Sequence, residues 1–378
     1  MQSPDPHIAV DFLDLGWQTE QVRGDVLKNW GGILDDSSFI LSSHVSDFEE
    51  SFALFSGVRH CVGVANGTDA LEIGLRALGI GVGDEVIVPA NSFVASAIAV
   101  SRTGAKPVFV DCKPGTWLLD TSLVASSVTS CTRAIMPVHL YGQMVDMAEV
   151  ESLAQRFGLS IIEDVAQAQG ARQKDRKAGS IGEVAGTSFY PGKNLGAMGD
   201  AGAVMTSSEN LWGQSIAMRN YGSPVKYDHP IFGFNSRLDS LQAVVLSAKL
   251  KKLASWNRMR KEQATFYLEE LAGLQEVELP TVAEGNEHVW HLFVIQVEAR
   301  EKVADAMRVA GVQTGIHYPN PIHFLGMYKD LGYERGDFPV AERLAETALS
   351  LPIYPGLSRE GQEYVVSTLK KALQARHP

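Results

Sequence analysis

The feature that most restricts what this chain can fold into is an alternation of short apolar runs with stretches of helical spacing. Cys61–Ala65 is broken by Asn66-Gly67 and leads into a segment that puts Leu71, Leu75 and Leu78 on one helical face. Glu85–Pro89 precedes a helix over Ser92–Thr103, and Pro107–Val110 follows as the next run. Ala134–Val138 precedes a helix over Met147–Phe157. Leu159–Glu163 then ends on Asp164, Val184–Tyr190 enters a loop at Pro191, and Ala203–Thr206 precedes a helix near Glu209–Arg219. Repeated β-then-α units of this length predict a mostly parallel sheet covered by helices, an α/β fold. Ligands of such sheets sit outside the carboxyl ends of the strands, which makes the residues just after each run the first candidates for a site.

The flanks have a different texture. An amphipathic stretch around Gln21–Leu34 and a helix over Ser46–Phe55, with Phe48, Phe52 and Phe55 at helical spacing, come first. From Leu238 to Leu271 the chain contains no Gly or Pro, which predicts a long helix leading out of the first domain. Beyond it we expect a strand over Val289–Val297, a helix over Arg300–Ala310, the loop GIHYPNPIHF, and helices near Phe338–Leu349 and Gly361–Leu373. With 378 residues, this organisation reads as a large domain over residues 1–250, N-terminal segment included, and a smaller C-terminal α/β domain over 251–378.

One strand end carries unusual chemistry. Gly186–Ala203, GTSFYPGKNLGAMGDAGA, sets Lys193 in a loop almost bare of other charges, with Gly192, Gly196 and Gly199 allowing close backbone approach to a ligand. A lysine in an apolar strand-end site has a lowered pKa and can act as an amine nucleophile. A phosphate-binding P-loop is excluded: five residues separate Gly186 from Gly192, and Asn194 rather than Ser or Thr follows the lysine. Taken alone, a solvated loop lysine remains the simpler reading. Asp164 changes the balance, because it ends an apolar strand and is followed by the nearly uncharged VAQAQGA. Taken singly it is a helix-capping aspartate. Paired with Lys193 it meets a specific requirement: a lysine Schiff base plus a carboxylate on the pyridinium nitrogen is what pyridoxal phosphate chemistry needs. Gln167 is then placed to hydrogen-bond the ring's phenolic oxygen. Asn66-Gly67-Thr68 joins a strand to a helix and presents free N–H groups for the phosphate, with Ser188 adding a hydroxyl. Phe93 is either a face for the ring or ordinary core packing.

Composition removes other classes. Hydrophobic residues make up 45% and charged residues 20%, with a formal net charge of −11, which argues against nucleic acid or an anionic membrane as a partner. No run of about 18 apolar residues occurs and no basic segment precedes an apolar one near the start, so neither a membrane span nor a signal peptide is expected. Cys61, Cys112 and Cys131 lack CxxC spacing and read as reduced core residues of a cytoplasmic protein. His139, His288, His291, His317 and His323 form no HExxH motif. A strand through HVWH would point His288 and His291 to opposite faces, so no metal is expected.

The motifs ANGTDAL, VPANSFVASAIAV, MPVHLYGQ, IIEDVAQAQGA, SFYPGKNLGAMGDAGA, FNSRLDSLQA, VWHLF and GIHYPNPIH, in that order, resemble those of the DegT/DnrJ/EryC1/StrS sugar aminotransferases over roughly residues 10–375. The resemblance implies an aspartate-aminotransferase-like fold, pyridoxal 5'-phosphate, and a homodimer with sites at the subunit interface. Carried over by position, Lys193 forms the Schiff base, Asp164 pairs with the pyridine nitrogen, Gln167 meets the phenolic oxygen and Phe93 stacks on the ring. Gly67, Thr68 and Ser188 bind the phosphate, joined by Asn235 from the neighbouring subunit. His317, Tyr318 and Tyr190 border the sugar pocket. Three departures stand out: Ser42-Ser43-His44 replaces Gly-Pro-Glu, Thr187 replaces an aromatic or small apolar residue, and Gln169 replaces a common His.

The implied reaction is amination of a nucleotide-diphosphate-linked keto sugar by glutamate, with Lys193 rather than the histidine of the related dehydratases. NGTDAL and NSRLD resemble members that act at C-3, with C-4, C-2 and cyclitol amination as alternatives. A non-catalytic regulator is the rival from another class, disfavoured because every cofactor position is filled. Arg237 or Lys226 are candidates to meet the diphosphate.

Overall fold

The computed structural model describes residues 9–374. A seven-stranded sheet forms the large body, in the spatial order His60–Val64, Gly202–Thr206, Val184–Ser188, Ser160–Asp164, Thr132–Ile135, Glu85–Pro89, Lys106–Val110. The pairings from Val184–Ser188 outward to Lys106–Val110 are parallel. Gly202–Thr206 runs antiparallel to both of its neighbours, so the sheet is mixed, with a parallel majority. The antiparallel strand follows from the loop around Lys193, which turns the chain back beside the strand it left instead of crossing over through a helix.

Each strand is buried on both faces. Val86 and Val88 pack with Val62, Ile162 and Val204 on one side, while Ile87 packs with Cys61, Ile135 and Ile161 on the other, the period of two that a pleated strand imposes. Two covered faces explain why the runs are apolar without alternation. Helix Gly67–Ala77 buries Leu71, Ile73 and Leu75 on the sheet. Asn66 caps that helix, its side chain accepting from Asp69 N–H at 2.8 Å.

Helix Ser240–Leu271 is unbroken over 32 residues. Our proposed division at residue 250 therefore falls inside one rigid element. The helix's second half supplies Ala264, Phe266, Tyr267 and Leu271 to a separate core with Phe293, Ile295, Leu349, Leu351 and Val365. That core lies on a small antiparallel sheet of Val277–Glu278, Phe293–Val297 and Ala348–Leu351.

Three expectations need correction. The strand expected over Val289–Val297 begins only at Phe293. Trp290 has φ +49°, and the backbone N–H groups of Val289 and Leu292 are taken by the carbonyls of Gly142 and Tyr141, so this segment crosses toward the large body before it pairs. The helix expected to Leu349 stops at Thr347, and Ala348–Leu351 is a strand; a short apolar run fits both periods, and sheet pairing to Phe293–Gln296 decided it. Cys61 and Cys112 are buried, but Cys131 is exposed, because it sits in the turn just before Thr132–Ile135.

Candidate active site

Strand ends converge on one cavity of about 660 Å³, lined among others by Gly67, Thr68, Phe93, Ser96, Asp164, Gln167, Ser188, Tyr190, Lys193, His317 and Tyr318. Every candidate except Asn235, Arg237 and Lys226 lies on it. The parallel strands bring Asp164 and Ser188 to one edge, since residues at the carboxyl ends of adjacent parallel strands share a level. Gly67 and Thr68 open the helix that follows His60–Val64.

Asp164 is held on all sides. Its Oδ2 accepts from Ser96 Oγ at 2.7 Å and its Oδ1 from Ala166 N–H at 3.0 Å. Its backbone N–H donates to Pro137 and its carbonyl accepts from His139 N–H. Behind it His139 Nε2 lies 2.8 Å from Glu163 Oε2, a fully buried pair. Burial pushes the Asp164 carboxyl above its ordinary value, with the Ser96 and Ala166 bonds and the charge of Lys193 opposing. A cationic partner in the cavity would favour the carboxylate form.

Lys193 projects into the same space without a hydrogen-bond acceptor for its ammonium among the described residues. Burial lowers its pKa to about 8, against the pull of Asp164, so near neutrality far more of it is free amine than for an exposed lysine. Behind the loop, the buried Lys249 ammonium donates to the Gly196 carbonyl at 2.7 Å. Gln167 accepts from Tyr141 N–H at 2.7 Å and donates to Tyr318 Oη at 3.0 Å, which ties one wall to the other. Phe93 stands 5.3 Å from the Tyr318 ring, centroid to centroid, and is 51% exposed; it presents a face to the cavity rather than packing in the core. Tyr190 stands exposed at the mouth.

The helix start at Gly67 fits an anion closely. Asn66 takes up the N–H groups of Asp69 and Ala70, and those of Gly67 and Thr68 have no protein acceptor among the described residues. A Cβ on Gly67 would lie 2.6 Å from Ser188 Cβ. Gly67→Ala is therefore expected to push the helix start off Ser188, costing about 1–3 kcal/mol. Phosphate-dependent cofactor affinity, read by fluorescence titration, should fall about tenfold or more; unchanged affinity would remove Gly67 from the cradle.

Asn235 is elsewhere. It is exposed and bridges Asn220 through its backbone. Neither Arg237, bonded to Asn220 Oδ1 at 3.2 Å, nor Lys226, over the Tyr227 ring, lines the cavity of this chain. Asp69 does not line it either. Its carboxylate joins Arg102 at 2.9 Å and Ser236 Oγ at 2.8 Å, so it anchors the segment beside Asn235. His288 and His291 are not on opposite faces of a strand: His288 stacks on Trp290 at 3.8 Å, while His291 lines the cavity and its Nδ1 lies 3.2 Å from Asn194 Oδ1. Among the described residues no three His, Cys, Asp or Glu side chains group as metal ligands, and no helix is long and apolar enough to cross a membrane.

Sequence reading missed Ser96, Tyr141, His291 and Arg260. Ser96 had a weak signal, four residues after Ser92 on the helix that follows Glu85–Pro89; His291 and Arg260 reach the cavity only through tertiary packing, and Tyr141 stands behind its wall, donating to Gln167 and to the His317 carbonyl. Two of the unusual positions turn out to be one feature. Gln169 Nε2 donates to Thr187 Oγ1 at 3.1 Å and to the Ser188 carbonyl at 2.7 Å, so the two polar residues are bonded to each other at strand Val184–Ser188, while Gln169 Oε1 stays buried without a donor.

A lysine of depressed pKa facing a buried carboxylate, beside an anion cradle at the carboxyl edge of an α/β sheet, defines a lysine-dependent enzyme of the pyridoxal phosphate class. Residues 21–370 match the model of the DegT/DnrJ/EryC1/StrS aminotransferase family, and the chain belongs to that family. It is 46% identical to the erythromycin biosynthesis sensory transduction protein EryC1 of Saccharopolyspora erythraea, over 96% of this chain and 99% of that one. It is 44% identical to the dTDP-3-amino-3,4,6-trideoxy-alpha-D-glucose transaminase of Streptomyces venezuelae, over 96% of each. Among solved structures, S. venezuelae DesV in complex with a ketimine intermediate superposes with a TM-score of 0.95 at 44% identity, over 97% of this chain and 98% of that one. NtdA from Bacillus subtilis with bound cofactor PMP gives 0.90 at 34% identity, over 98% of this chain and 87% of that one.

Proposed function

We propose that this pyridoxal-phosphate-dependent aminotransferase moves an amino group from glutamate to C-3 of a nucleotide-diphosphate-linked keto-deoxysugar. The observation that carries the chemistry is Lys193, its amine in the cavity with Asp164 buried across from it. The cofactor, when bound, supplies an electron sink beside the substrate carbon.

The residues present fit that group. Gly67, Thr68 and Ser188 hold its phosphate at the helix start, with Asn235 of a second copy completing the cradle in a homodimer. Asp164, locked by Ser96 and Ala166 N–H, holds a proton on the ring nitrogen. Burial raises the Asp164 carboxyl, and a protonated ring nitrogen beside it would favour its carboxylate form. Gln167, oriented by Tyr141 and Tyr318, would hold the phenolic oxygen, and Phe93 would supply a face for the ring. Lys193 would carry the cofactor and, as free amine, would accept the proton lost by the donor's α-carbon and hand it on to the cofactor. Its pKa near 8 suits both directions. His317, Tyr318 and Tyr190 border the sugar. Burial holds the His317 imidazole down to about 4, so it meets the sugar as a neutral donor or acceptor.

C-3 is supported by the similarity to the S. venezuelae transaminase, a 3-amino sugar enzyme, and by NGTDAL and NSRLD. Asp69 acts indirectly here, through Ser236, by shaping the segment that carries Asn235. Supplying 3-keto and 4-keto nucleotide sugars with glutamate, and reading the amine position by NMR, tests the assignment. Amination at C-3 is expected; product only at C-4, at C-2 or on a cyclitol ketone would refute C-3 and leave the cofactor roles standing.

A further inference from the structure

The charged groups on the cavity wall are not all accounted for. Arg102, at one edge, is neutralised by Asp69 at 2.9 Å and Glu72 at 2.7 Å. Asp164 and Lys193 are committed to the cofactor, and Asp200 stands exposed at the mouth. His291 and His317 are held neutral by burial and nearby positive charge. That leaves Arg260.

Arg260 lies on helix Ser240–Leu271, only 2% exposed, yet it lines the cavity. Its Nη1 donates to three backbone carbonyls, of Ile353 at 2.7 Å and of Trp290 and His291 at 3.2 Å each. Its Nε is buried with no acceptor, and among the described residues no carboxylate pairs with it. Carbonyl dipoles fix the direction of the guanidinium without neutralising it. A buried cation without a counter-ion is costly, and arginine keeps its charge far better than any other cation in such a place. Burial brings its pKa down to about 9, which still leaves it charged at neutral pH. A fixed, desolvated and unpaired guanidinium on the wall of the cavity that also holds the reacting lysine is what a carboxylate would need to be recognised strongly.

We propose that Arg260 is the receptor for a carboxylate of the amino-acid donor. The proposal rests on the aminotransferase reading above. The sugar substrate brings a diphosphate instead of a carboxylate, so Arg260 separates donor recognition from acceptor recognition within one cavity. The segment that presents the carbonyls, Trp290 and His291, also carries the contact to Asn194 next to Lys193. Donor binding and lysine placement are thereby coupled through one short loop.

The test uses the cofactor-loaded protein and glutarate, a dicarboxylate without the reactive amine, with binding read by calorimetry. Wild type should bind glutarate and prefer it at least tenfold over the neutral glutaramide, a comparison that needs no variant. Arg260→Met and Arg260→Lys, checked for folding by thermal melts, should lose about tenfold to a hundredfold of glutarate affinity, the usual range for a charge-assisted bond. Under turnover, the donor KM should rise by a similar factor and the acceptor KM by far less. Equal binding of glutarate and glutaramide to wild type, or undiminished glutarate binding by a folded Arg260→Met, would overturn the proposal. If no sugar is aminated but glutarate discrimination persists and depends on Arg260, the assigned function fails and the anion site stands.

Discussion

Replacing Lys193 by alanine is expected to abolish transamination, with a loss of about a thousandfold or more, within the range for removing a group that serves as both nucleophile and proton carrier. Among the described residues no other lysine lines the cavity, so no neighbour there can substitute. The expected signature has two parts. Borohydride treatment fixes the cofactor onto wild type, adding its mass to the chain, and adds nothing to Lys193→Ala. Turnover falls to background at all donor concentrations. A variant that retained wild-type turnover would show that Lys193 is not the reacting amine.

The same substitution has a thermodynamic consequence in the cofactor-free protein. Lys193 titrates near 8 in the folded state, below its ordinary value of 10.5. The unfolded chain therefore binds more protons between those two pH values, and this group's contribution to stability rises with pH across that window. Below it the ammonium is a full burden on the fold. Lys193→Ala removes the burden, so the variant should melt higher than wild type near neutral pH, with the difference shrinking as pH approaches 10.5. Equal melting temperatures throughout would show that the ammonium is better solvated than its surroundings suggest.

Restored activity in a mixture of two crippled variants is the second large effect. Asn235 is exposed and stands off its own chain's cavity, on a segment pinned by Ser236 to Asp69. Losing its bond to a phosphate should weaken cofactor binding about tenfold to a hundredfold, so Asn235→Ala is nearly inactive when cofactor is limiting. Lys193→Ala is inactive for its own reason. If each site takes its lysine from one chain and its asparagine from the other, an equimolar exchange of subunits leaves about a quarter of all sites intact. Activity near that fraction of wild type is the expected outcome. No recovery, with subunit exchange demonstrated by labelled chains, would mean that each site is built within one chain.

Much of this protein is readable from local pattern, for a physical reason. Strand–helix alternation, the Asn66 cap, the turn at Gly67 and the positions of Asp164, Ser188 and Lys193 depend on neighbours a few residues away, and a parallel sheet carries strand-end residues to one edge. Lys193 and Asp164 were legible because charge is conspicuous in an apolar surrounding. Other features were decided only by tertiary packing. The antiparallel strand Gly202–Thr206 and the strand Ala348–Leu351 took their direction and type from partners distant in sequence. The segment around Trp290 left its expected strand because the carbonyls of Tyr141 and Gly142 captured its N–H groups. Arg260 showed no sign of its position in the sequence, where it is one basic residue among several on a long helix. Its burial against the carbonyls of Trp290, His291 and Ile353 exists only once the two ends of that helix are packed into different bodies, and electrostatics at that depth depends on which charges are brought together, which no local spacing specifies.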